Sequence, residues 1–181
     1  MASRTGLPAD WLYLRDRFPR SRWSEPSLGP TAAHWLQMHQ GFRAQGARMT
    51  GLTDRFRADP ADPHGLHQAL IPTLQAFLQH LDGHHRVESG HYFPAFRRME
   101  PRIGEGIDLL DRDHDAVHAH LEAMLEAGRA FHLAVATAAP DAPGAALRLA
   151  DAIEAALAPL TRHLDDEEDI VIPLIALRGV G

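Results

Sequence analysis

Four stretches of this chain set a histidine at helical spacing from other side chains that ligate metals. They are His39 with its flanks, His84-x-x-x-Glu88, His114-x-x-x-His118 and His163-x-x-x-Glu167. Residues four apart stack one turn above another on a single helix face. Each stretch also falls on an apolar seam. In the first, Trp35, His39, Phe42, Gly46, Met49, Thr53 and Phe56 recur at intervals of three and four. The second seam reads Leu70, Leu74, Phe77, Leu81, His84, Glu88, His91. The third reads Ile107, Leu110, His114, Val117, His118, Leu121, Leu125, and the fourth Leu149, Ile153, Ala156, Leu160, His163, Glu167, Ile170, Leu174. A bundle turns such stripes inward. Ionisable groups among leucines are costly to bury without partners. Five imidazoles and two carboxylates converging from four segments are enough to hold two metal ions.

The breakers divide these seams into long helices. Pro19, Pro26 and Pro30 close off residues 1–30 as an N-terminal arm, in which Trp11, Leu12, Leu14 and Phe18 suit a short amphipathic helix after Pro8. Thr31 is a candidate N-cap for a helix over about 31–58. Pro60 and Pro63 mark a loop before a helix over about 64–99, in which Pro72 and Gly83 should introduce kinks. Pro101 and Gly104 precede a third helix over about 105–136, and Pro140, Pro143 and Gly144 precede a fourth over about 145–177. Long helices joined by short loops predict an all-α fold, an antiparallel up-down-up-down four-helix bundle over 31–181 behind the 1–30 arm.

Composition narrows the chemistry. With no cysteine among 181 residues, disulfides, thiolate catalysis and sulfur-ligated metal sites are excluded, so a metal must be held by nitrogen and oxygen. A net charge of −6 argues against a nucleic-acid face. No apolar run approaches membrane-span length, and the N-terminus lacks the apolar core of a secretion signal, so a cytoplasmic location and no membrane partner are expected.

Iron, manganese and zinc all accept imidazole and carboxylate. Two cations close together need bridging anions. Glu88 and Glu167, each one turn past a histidine, suit that role, with His39, His84, His114, His118 and His163 as terminal ligands. His34 and His39 compete on the first helix, and only His39 continues the stripe. Of the adjacent pair His84 and His85, the expectation places His84 inward and His85 beside the site or in solvent. His80, His91, Asp113 and Glu168 are candidates to support the ligands by hydrogen bonds. His64, His67, His120 and His132 read as ordinary surface histidines.

A lone His followed by HxxxE, HxxxH and HxxxE on successive helices resembles the hemerythrin-like (HHE cation-binding) family in its bacterial form. The segments LQMHQGFR, HLDGHHRVESGHYFPAF, LLDRDHDAVHAHL and HLDDEEDIVIPLI carry the likeness, over roughly residues 31–177. The resemblance implies a non-heme centre of two iron ions joined through oxygen (Fe–O–Fe), with manganese or zinc as substitutes. It implies O2, peroxide or nitric oxide as the small ligand. Invertebrate oxygen carriers have HxxxxD on the last helix. This chain has HxxxE, a departure shared with many bacterial relatives that weakens the case for dedicated oxygen transport. The ligand set is equally compatible with a reversible binding module, with an enzyme oxidising an organic substrate, and with an iron store or sensor. It names neither a catalytic residue nor a redox partner.

Overall fold

The computed structural model describes residues 6–25 and 28–178, and among the described residues it contains helices and turns but no strand. The long elements are α1 (Pro30–Ala58), α2 (Pro63–Val87), α4 (Gly104–Ala136) and α5 (Ala142–Arg178), with the short α3 (Phe93–Met99) following α2. The bounds of α1, α4 and α5 lie within three residues of the spans read from the seams, whereas the expected helix over about 64–99 is α2 and α3 separated by Glu88–Tyr92.

The helix starts follow local chemistry. Pro30 occupies the first position of α1, where its missing N–H costs nothing. Gly29 precedes it at φ +87°, a conformation that favours glycine. Thr31 therefore lies inside the helix and is not its cap. At the start of α2, the Asp62 carboxylate accepts the Gly65 N–H at 2.8 Å, which satisfies one of the orphan donors. The amphipathic helix expected after Pro8 is reduced to single 3₁₀ turns at Ala9–Trp11 and Arg20–Arg22.

α2 runs on through Pro72 and Gly83. The break in its regularity comes later, as a wide turn with i→i+5 hydrogen bonding at Glu88–Tyr92. Pro94 follows just inside α3, and the wide turn accommodates it. In a regular helix its ring would meet the carbonyl of Gly90, four residues back, and it has no N–H to donate there. Widening the turn relieves both problems, and such turns recur at functional sites. The wide turn also rotates the residues beyond its start, so His91 leaves the Glu88 face and is exposed, packed edge-on against Tyr92.

The chain divides into two compact units. One comprises Met1–Gly41, His85–Ala116 and Leu160–Gly181, and the other Phe42–His84 and Val117–Pro159. In the first unit Trp35, Phe93, Phe96, Ile103, Ile107, Leu110, Ile172 and Leu174 form a buried apolar cluster, joined by Leu14 and Leu28 from the N-terminal turns. In the second, Met49, Phe56, Leu70, Leu74, Phe77, Met124, Phe131 and Ile153 are buried. Every expected seam position of α1 and α5 is buried. On α4 a three-four rhythm of buried positions runs through Ile107, Leu110, His114, Val117, Leu121, Met124, Gly128, Phe131 and Val135, with Gly106 and Asp113 buried beside it. His118 and Leu125 each fall one residue past that rhythm and are exposed.

Core burial in the second unit sets up a contrast. Phe77→Ala should lower stability by about 3–5 kcal/mol in urea denaturation, through lost transfer energy and a cavity. Leu133→Ala, at a position 63% exposed, should shift it by no more than about 0.5 kcal/mol.

Candidate metal centre

The seams deliver their ionisable residues to two groups of buried donors. Donor atoms of His39, His84, Glu88 and Glu167 lie within 4.8 Å of one another, and so do those of His85, His114 and His163. His39 comes from α1, His84 and His85 from the end of α2, Glu88 from the first position of the wide turn, His114 from α4, and His163 and Glu167 from α5. Of the residues expected from the sequence, the structure thus gathers His39, His84, Glu88, His114, His163 and Glu167.

His118 belongs to neither group. Its side chain is 53% exposed and lies 3.7 Å from both Asp82 and Glu122. The physical reason is the α4 rhythm, in which three residues after His114 the inward position is taken by Val117. The fifth imidazole is instead His85, which is buried, stacked on His114 at 4.1 Å and edge-on to His163 at 5.4 Å between ring centroids. A signal for it was present in the spacing. Glu88 is four residues from His84 and three from His85, so it shares a helix face with each. One turn of α2 can therefore serve both groups.

The two carboxylates connect the groups. Glu167 Oε1 lies 3.5 Å from His39 Nε2, and its Oε2 lies 3.5 Å from His163 Nε2. Glu88, from the first group, places Oε2 3.5 Å from His114 Nε2 in the second. Such separations are long for hydrogen bonds. They are close to the roughly 3 Å between neighbouring donors on one cation at 2.0–2.2 Å from each.

Supporting contacts orient the rings. The Ser89 hydroxyl donates to Asp111 Oδ1 at 2.7 Å and lies 2.9 Å from His114 Nδ1. A hydroxyl has one proton, so it accepts the His114 Nδ1–H, which leaves the Nε2 lone pair available. That Nε2 is buried and has no hydrogen bond from a described residue. His39 Nδ1 donates to Glu168 at 3.0 Å and so turns Nε2 toward Glu167. The Trp35 indole N–H donates to Glu167 Oε1 at 2.6 Å. Arg20 reaches Glu168 at 3.4 Å and Asp169 at 2.8 Å, tying the N-terminal turns to α5.

The electrostatics of the metal-free site favour added positive charge. Burial, and next the nearby Glu167, push Glu88 well above the ordinary carboxylate range. Burial would hold His39 down, but Glu167 and Glu168 outweigh it and push its pKa up to about 9. Burial holds His114 below its ordinary value despite the pull of Glu167 and three nearby aspartates. Buried carboxylates facing neutral imidazole nitrogens suit a divalent cation, and in its absence protons take that place.

Helices that present buried histidine and carboxylate donors define a cation-binding helical domain. Residues 31–175 match the hemerythrin HHE cation binding domain, and the chain belongs to that family. No curated protein and no solved structure matches the chain. Among the described residues no helix is long and apolar enough to cross a membrane.

The shifts at His39 and Glu88 have the same sign. A group whose pKa is raised by folding stabilises below its unfolded value, and that contribution is lost as pH rises through the folded value. For His39 the window runs from 6.5 to about 9. In the presence of a chelator, the melting temperature should therefore fall between pH 7 and pH 10. Saturating metal should remove most of that slope, because the ligands are then deprotonated throughout.

Proposed function

We propose that this chain is a non-heme diiron protein that binds O2 or reacts with peroxide or nitric oxide. The observation that carries the reading is the placement of Glu88 and Glu167, whose carboxylates each face imidazoles of both donor groups. In this reading His39, His84, Glu88 and Glu167 would hold one cation and His85, His114 and His163, with the carboxylates shared, a second. The unequal count of imidazoles in the two groups would suit a site that admits a small ligand. Such a pair of ions, when bound, supplies the electrons and the coordination site for oxygen or nitric oxide chemistry.

The chain's own residues determine how that site is shielded. Phe93 stacks on His114 at 5.3 Å, Phe42 lies 5.2 Å from His84, and Trp35 meets His39 edge-on at 6.3 Å. Rings this close favour a ligand of two or three atoms over an organic substrate, which places the oxidase alternative second. The same reading orders the four long helices antiparallel, up-down-up-down, which the short connections at 59–62 and 137–141 support.

Elemental analysis of protein from iron-replete cells should give two iron ions per chain. The reduced protein should change its visible spectrum on exposure to air. Recovery on removing O2 would indicate carriage, and consumption of peroxide an enzyme. Absence of bound iron, manganese and zinc would end the proposal. Glu88→Ala and Glu167→Ala should each lose metal while keeping helical circular dichroism. His85→Ala should lose metal as well, whereas His118→Ala should retain it.

Ser89→Ala supplies a finer check. Without the hydroxyl, His114 loses the contact that fixes its proton on Nδ1. Metal affinity should fall roughly 10–100-fold, the usual range for a lost supporting hydrogen bond, and competition with a chelator reads this directly. Ser89→Thr, which keeps the hydroxyl, should restore most of it.

A further inference from the structure

A second set of imidazoles lies in the other compact unit. His67 on α2 and His132 near the end of α4 bring Nε2 and Nδ1 to 2.8 Å, with ring centroids 5.0 Å apart. The pair is built, since His67 also packs edge-on against the buried Phe131 at 5.6 Å. His64 stands one turn earlier on α2 and is exposed, as is His132. Burial first, then His132 and His64, hold His67 below its ordinary value, which keeps it neutral and its lone pair available.

The spacing is informative. Two nitrogens each 2.0–2.1 Å from one ion lie roughly 2.8–3.0 Å apart at a right angle and about 3.3 Å apart at the tetrahedral angle. The observed 2.8 Å is that of an imidazole–imidazole hydrogen bond, and it already holds the two nitrogens at about the separation that one shared ion requires. We infer that His67 and His132 form a separate surface site for a divalent transition metal held through two imidazole nitrogens. Binding needs only that the donor ring move its proton to its other nitrogen, after which both facing nitrogens offer lone pairs. The site is independent of the buried centre and stands or falls without it.

The test is a Cu2+ titration of the protein with its buried centre already loaded, followed by calorimetry and by electron paramagnetic resonance. The unsubstituted protein should take up one more equivalent than His132→Asn, with nitrogen hyperfine structure from two imidazoles. His67→Asn should behave as His132→Asn does, its affinity for that equivalent reduced by more than about tenfold. His120→Asn should match the unsubstituted protein. Equal copper uptake and affinity in His132→Asn, or a copper signal without nitrogen coupling, would overturn the inference. So would loss of the buried centre's metal in His132→Asn, because the two sites would then not be separate.

Discussion

Two carboxylates placed side by side in an apolar interior repel each other and have lost their water. Glu88 and Glu167 are in that position, and much of the chain is arranged around it. Their neighbours are imidazoles, which can accept a proton or a metal as circumstance requires. The protonated state of His39 in the metal-free protein is the chain's own partial remedy. Bound metal would be a fuller one, because it would neutralise the acids and engage the facing nitrogens. Folding and metal uptake are therefore coupled through the same few atoms.

The wide turn after α2 is the backbone's contribution. Glu88 opens it and Pro94 follows it. It keeps Glu88 and Ser89 beside α4 while directing His91 outward. A regular helix would have offered Glu88 and His91 on one face, a pattern found in ferritin-like diiron proteins. Here the wide turn leaves Glu88 buried and His91 exposed.

Much of this was legible in the residue order, because burial follows periodicity. The α1 and α5 seams are inward at every named position, His39 and not His34 is buried, and the breakers mark the ends of α1, α4 and α5 to within three residues. Three features were not legible, each for a definite reason. His118 sits four residues from His114, but a seam that alternates threes and fours can take either step, and packing chose Val117. His85 is three residues from Glu88, a signal that registers only when both of two adjacent histidines are allowed inward. The exposure of His91 goes with the wide turn at Glu88–Tyr92, which a count of residue spacing does not register.

The indole of Trp35 donates its N–H to an oxygen of Glu167. An excited indole transfers energy readily to a neighbouring open-shell ion. Were such an ion held beside Glu167, the same indole would serve as a built-in optical gauge, its emission dimming as the metal entered and returning as it left.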